Sequence, residues 1–164
     1  MSTFALIGAL QIGCIFGLVA IGVLIAFRML DFPDLTPDGS FPLGAAVSAS
    51  FIIAGGDPWI ALIVGTLAGA MAGVLTAFLS ERLGILNLLA GILTMTALYS
   101  INIRIMGRPN LPLLGEETAV DLFKDMGLSP LYAKFAIAFL VVALAVTVLS
   151  FLMVSRFGLS LRAT

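Results

Sequence analysis

Histidine is absent from this chain, cysteine and tryptophan each occur once, and charged residues make up only 10% of it. Without histidine there is no Ser-His or Cys-His nucleophile pair and no ordinary zinc site, and a lone cysteine builds no disulfide framework. No catalytic, metal-ligating or cofactor-binding residue is therefore assigned, and an intramembrane hydrolase ranks last among the functions considered. Cys14 reads as a small packing residue. No Gly-Lys pair occurs, so there is no phosphate loop for a nucleotide. The net charge of −1 offers no basic face, which excludes nucleic acid as a partner.

What is there instead is apolar sequence. Hydrophobic residues make up 61% of the chain and the mean hydropathy is +1.20, whereas a soluble domain carries roughly 25% charged residues. The chain reads as an integral membrane protein. Its N-terminus, MSTFALIGAL, lacks the basic start and the cleavage site of a signal peptide. Five hydrophobic segments are drawn: about Phe4–Phe27, Leu43–Ala54, Pro58–Leu79, about Ile85–Met106, and Pro130–Val154. Alternation of apolar and polar residues is absent, which argues against a barrel. The expected fold is all-α, a polytopic helical membrane protein of about five membrane helices with one short or discontinuous second helix. Residues 1–164 form a single transmembrane domain in this reading.

Caps punctuate the segments. Gly55-Gly56 ends the second, Asp57-Pro58 caps and opens the third, Ser80-Glu81-Arg82 reads as a tight polar turn, and Ser129-Pro130 opens the fifth. The stretch Leu35–Ala46, LTPDGSFPLGAA, is the chemical anomaly. Thr36, Pro37, Asp38, Gly39 and Ser40 are expected to break the helix, because proline lacks an N–H and glycine and serine favour turns. Ser40 then becomes the N-cap of the second segment, with Pro42 in its first turn. At about 1.5 Å per residue the run Leu43–Ala54 falls well short of a roughly 30 Å hydrocarbon core. Either that helix does not cross fully, or the polar turn lies at membrane depth, where irregular backbone must be buried or hydrated. In the first case Asp34 and Asp38 are loop carboxylates in water. In the second they are intramembrane acids, with Arg28 the nearest basic residue, and a half-helix N-terminus at Ser40–Leu43 presents backbone N–H groups to an anion.

Two further patterns bear on packing and on polarity. Ala61, Gly65, Gly69, Gly73 and Ala77 recur every four residues, a helix-packing row that lets another backbone approach, within the chain or in a dimer. Gly13-x-x-x-Gly17 in the first segment is its natural partner. In the fourth segment Asn87, Thr94, Thr96, Tyr99, Ser100 and Asn102 place hydrogen-bonding groups among apolar ones. The hydroxyls have a local alternative in their own helix carbonyls. Asn87 and Asn102 need a partner helix, an aqueous path or, for Asn102 near the segment's end, the headgroup layer. The translocation-path candidates are thus Asp34, Thr36, Asp38, Gly39, Ser40, Asn87, Thr96 and Asn102. Counting Lys and Arg on the two sides gives a draw for orientation; the uncharged N-terminal tail favours an outside N-terminus and an inside C-terminus.

The strings DLTPDGSFPLGAAVSA, LLAGILTMTALYSINIRIMGRPNLPLL and the closing FGLSLRAT resemble the permease subunits of bacterial ABC importers in the branched-chain amino acid, ribose and nucleoside superfamily, closest to its tryptophan/tyrosine transport branch. The resemblance covers essentially the whole chain but only the N-terminal half of such a permease. It implies a multi-pass protein of the bacterial inner membrane with a cytoplasmic C-terminus. It also implies a cytoplasmic ATPase subunit that hydrolyses the ATP, an extracytoplasmic solute-binding protein, and a second permease copy or a C-terminal half. The expected function is part of the path for a small organic solute, an amino acid being the natural candidate. The competing expectation is a non-transporting membrane scaffold assembled through the glycine-row helix. A secondary transporter ranks lower, because no acid lies in the middle of a segment.

Overall fold

Helices are the only regular elements among the described residues, as an apolar chain without strand alternation requires. The computed structural model describes residues 3–29, 34–113, 115–116, 118, 120–121 and 130–155. Among the described residues five helices are given bounds, in order: α1 Thr3–Met29, α2 Thr36–Ile53, α3 Pro58–Glu81, α4 Asn87–Met106 and α5 Pro130–Val154. Four of them, α1, α3, α4 and α5, are long and apolar enough to cross a membrane. The side chain of Arg28, Ser129 and the closing string 157–164 lie outside the described residues.

By contact the chain divides into two compact units, 1–31 with 120–164, and 32–119. In the first, α1 and α5 pack on each other. Phe135 and Phe139, one turn apart on α5, stack with ring centroids 6.2 Å apart. Leu24 on α1 and Leu144 and Phe151 on α5 are exposed, as befits helices whose outer solvent is lipid. In the second unit α2 packs against both α3 and α4. Its buried residues Thr36, Gly39, Leu43 and Ala46 follow the three-and-four spacing of a single helix face. The small apolar core there is Leu43, Ala72 and Leu98, with Val47 and Ala68 packed on it.

The second helix departs from expectation at its start. It begins at Thr36 and runs unbroken through Ser40 and Pro42, so Ser40 is not its N-cap and 36–40 is not a turn. The reason lies in the first turn. A proline is harmless where no N–H is needed, and Pro37 sits there. The Asp34 carboxylate accepts from Thr36 N at 2.8 Å, and Asp38 N donates to Leu35 O at 3.3 Å. Pro42 deprives the Asp38 carbonyl of its helical donor, a loss that costs about 3 kcal/mol in an exposed helix. Packing on two sides offsets it here. With 18 residues, α2 remains the shortest of the five helices and is not among the candidate spans.

The other boundaries follow capping chemistry. Asp57 accepts from Trp59 N at 2.7 Å and Ile60 N at 3.4 Å, as the Asp-Pro pair predicts. After α2, Gly56 N reaches Phe51 O at 3.0 Å and Gly55 N reaches Ile52 O at 2.9 Å, with Gly55 at φ +84°. This is a Schellman closure, which needs the left-handed residue. Ser80 and Glu81 complete α3 rather than forming a turn, and the reversal occupies 82–86. Asn87 is accordingly the first residue of α4, two positions later than the apolar pattern places the start.

The glycine row also differs in detail. Gly65 is buried against α2: a Cβ there would lie 2.8 Å from Gly44 O and run into the Ser48 hydroxyl. Ser48 Oγ donates to Ala61 O at 3.0 Å across the same crossing. The place beside Gly65 is thus taken by Gly44-x-x-x-Ser48 and not by Gly13-x-x-x-Gly17. Four residues turn a helix by about 400°, so a strict four-residue row drifts by about 40° per step. Gly69 still meets Ser40 O, 3.7 Å from its ideal Cβ, while Gly73 meets nothing within 4 Å. The contact stripe passes instead to Ala72, Thr76 and Ser80, all buried.

Candidate functional site

Three threonines, one from each helix of the 32–119 unit, lock its interior. Thr36, Thr76 and Thr94 are each at most 2% exposed. Thr36 Oγ1 lies 2.7 Å from Thr76 Oγ1, Thr76 donates to Thr94 Oγ1 at 2.9 Å, and Thr94 donates to Ala90 O at 3.0 Å. Each hydroxyl has one proton, so the relay runs Thr36 to Thr76 to Thr94 to the α4 backbone with every donor used. The back-bonding expected of Thr94 is present, but as the end of an inter-helix chain. Thr36 belongs to this relay and not to an open path.

The remaining candidates separate into two groups. Asp34 caps α2 and lies beside Gly91 of α4, where an ideal Cβ would stand 3.4 Å from Asp34 Oδ1. Asn87 Oδ1 accepts from Ser80 Oγ, tying the end of α3 to the start of α4. Ser40 is half-buried and its carbonyl faces Gly69. Asp34, Thr36, Ser40 and Asn87 thus serve caps and crossings. Asp38, Gly39, Thr96 and Asn102 come together in one place.

That place is a pocket of about 310 Å3 between the first half of α2 and the stretch of α4 from its middle to Asn102, lined by Asp38, Gly39, Pro42, Met95, Thr96, Tyr99 and Asn102. Gly39 brings the helices close: a Cβ there would lie 3.0 Å from Met95 Cα and 3.2 Å from Leu98 Cβ. Asn102, 5% exposed, donates through Nδ2 to Gly39 O at 3.4 Å. Its Oδ1 is buried with no partner. A flipped amide would set oxygen against the Gly39 carbonyl, so the carbonyl oxygen is the end left over. Thr96 has spent its proton on Ile92 O and Leu93 O, at 2.9 and 3.0 Å.

Sequence reasoning singled out the polar members of this pocket and missed its shape. Met95, Tyr99 and Asn102 at intervals of four and three share one helix face, which is the signal that groups them. Pro42 and Gly39 join only through the α2–α4 crossing. Thr76 carried no such signal, since it lies outside the four-residue row Ala61–Ala77. The anion site expected at Ser40–Leu43 is not formed, because those residues lie inside α2 and its true start is closed by Asp34 and Leu35. No group of three or more His, Cys, Asp or Glu that could hold a metal occurs among the described residues.

Comparison with known proteins gives the following. Residues 5–164 match the family described as the permease component of the branched-chain amino acid transport system. The chain is 46% identical over 99 residues to a tyrosine transport system permease protein of Clostridioides difficile, covering 60% of this chain and 34% of that protein. It is 36% identical over 159 residues to an uncharacterized protein of Rickettsia prowazekii, covering 96% of this chain and 54% of the relative. The chain thus spans about half, or less, of the length of these curated relatives. No solved structure matches.

Proposed function

The chain belongs to the branched-chain amino acid transport permease family, and from that premise we propose that it forms part of the translocation path of an ABC importer for a small organic solute, an amino acid. Its membership and its four apolar helices make it a multi-pass membrane protein. In the proposed arrangement it sits in the bacterial inner membrane with its C-terminus in the cytoplasm. ATP is hydrolysed on a separate cytoplasmic subunit, and an extracytoplasmic binding protein delivers the solute. A second permease copy or the other half of the permease completes the path. The tyrosine transport permease among its relatives supports the choice of an amino acid.

The observation that carries the reading is the α2–α4 pocket. A buried amide oxygen without a partner is costly, roughly 1–3 kcal/mol, and supports a role for this residue beyond holding two helices together. Asn102 supplies that oxygen beside exposed Asp38 and Thr96.

Replacement of Asn102 by leucine tests it. Uptake of amino acid by cells carrying the complete importer is expected to fall at least about tenfold, the equivalent of 1.4 kcal/mol, while the variant inserts in the membrane at normal levels. Normal uptake with normal insertion would remove Asn102 from the path. Affinity purification of the tagged chain is expected to bring down an ATPase subunit. Recovery of a correctly inserted chain without one would favour the scaffold alternative.

A further inference from the structure

We propose that the groove between α1 and α5 holds one acyl chain of an anionic phospholipid, with its phosphate on the Lys134 ammonium and an ester carbonyl on the Gln11 amide. Such a site is independent of the transport path.

The unit formed by residues 1–31 and 120–164 contains a cavity of about 390 Å3 whose walls include Gln11, Ile15 and Leu18 of α1 and Lys134, Ile137 and Val141 of α5. Polar and apolar residues are sorted along both helices. Gln11 precedes Ile15 and Leu18 at steps of four and three, and Lys134 precedes Ile137 and Val141 at steps of three and four, so each stripe carries its polar residue at the N-terminal end. In the orientation expected from the sequence, N-terminus outside and C-terminus inside, α1 and α5 both run inward and the two polar residues share the outer half of the bilayer. Lys134 is the fifth residue of α5, about 6 Å along the axis from its start, where a lysine reaches the headgroup layer by snorkelling. Gln11 is the ninth residue of α1, about 12 Å from its start, and so stands deeper.

Both polar side chains lack a hydrogen bond or ion pair among the described residues. Asp121, which follows the lining residue Val120, already has a partner. Helices α1 and α5 contain no acid, and across the five helices the only acids are Asp38 and Glu81. A second copy of this chain laid on the groove through α1, α4 or α5 therefore brings Lys134 no counter-charge. A phosphodiester does, and basic pockets between membrane helices bind phosphate headgroups for that reason. The Gln11 amide has N–H groups to donate, and in hydrocarbon an unpaired one is costly; an ester carbonyl below the phosphate answers it. The remaining walls are aliphatic, which suits a methylene chain and offers a polar solute nothing.

The test is native mass spectrometry of the full chain titrated with phosphatidylglycerol and with phosphatidylcholine of the same acyl chains. Phosphatidylglycerol is expected to bind about fivefold tighter, the worth of one lysine near an anionic lipid surface. Lys134→Gln is expected to abolish that preference and Lys134→Arg to keep it, while Gln11→Leu weakens both lipids alike. Lys134 is exposed, so its variants report without disturbing the fold. A photoreactive group on the acyl chain of phosphatidylglycerol is expected to label α1 and α5, and to do so less in Lys134→Gln. Equal binding of the two lipids, a preference unchanged in Lys134→Gln, or labelling confined to other helices would overturn the proposal. So would displacement of the lipid by glycerol phosphate alone, which would make the groove a free phosphate site, or cross-linking of two copies through Ile137→Cys, which would make its occupant a second chain.

Discussion

A threonine hydroxyl in a membrane helix has a cheap local partner in its own backbone, and Thr66 and Thr147 use it, donating to Leu62 O and Ala143 O at 2.8 and 2.7 Å. Thr36, Thr76 and Thr94 do something further, because their hydroxyls meet where three helices converge. Thr76 is the middle link. Thr76→Val keeps the shape, removes one hydroxyl and strands the Thr36 donor. Inter-helix bonds of this kind contribute about 0.6 kcal/mol on average in membranes, and a stranded buried donor costs about 1–3 kcal/mol. Thr76→Val is therefore expected to destabilise the protein by about 1–3 kcal/mol, and Thr66→Val by less than about 0.5 kcal/mol, in reversible unfolding in mixed micelles. Equal effects would mean that the relay does not hold the helices together.

Helix α2 shows how an element of poor intrinsic quality is kept helical by its neighbours. It carries two prolines, a glycine and a serine in its first two turns, a composition that ordinarily stops a helix. Its neighbours approach at two glycine contacts, Gly44 on Gly65 and Gly39 on the α4 backbone. A methyl group at Gly65 would press on the Gly44 carbonyl, which cannot move without moving α2. Gly65→Ala is expected to cost about 1–3 kcal/mol as overpacking. Gly73→Ala, four residues from the next row position and free of contacts, is expected to be neutral or stabilising by about 0.4–1 kcal/mol. Thermal stability of the two variants side by side checks the assignment; a Gly73→Ala loss as large as that of Gly65→Ala would mean that another chain packs on that row.

For the molecule as a whole, the question is whether the α2–α4 pocket meets water. Gly39 is an unsuitable reporter, since a cysteine side chain there would start against Met95 Cα. Thr96 is exposed and lines the pocket. In a Cys14→Ala background, Thr96→Cys in the proposed importer is expected to react with small cationic methanethiosulfonates and to be protected by the proposed amino acid solute. Bulky reagents are expected to react at least about tenfold more slowly. Fast labelling by bulky reagents, unaffected by the amino acid, would place Thr96 on an ordinary outer surface. Pro42 and the orphan Asn102 oxygen belong to the same picture, because local imperfections in otherwise satisfied helices collect where a ligand has to be handled.

Composition and hydropathy, which are sums over the chain, were enough for the all-helical membrane class and for four of the five helices. Caps are local too, and Asp57-Pro58 and Gly55 stood out for that reason. The family strings are likewise local text, and the family match bears them out. The α2 boundary was not legible, because propensity disfavours a helix over 36–42 and only burial between α3 and α4 reverses the balance. Nor was the partner of Gly65, since a glycine row reports that a backbone approaches without saying which. The fate of the eight path candidates depended on the same crossings: four became caps and links, and four became one pocket. A side chain's chemistry is written in the residue, but whether it is satisfied depends on what packing brings within 3 Å of it, and here that is decided by helices far apart in the chain.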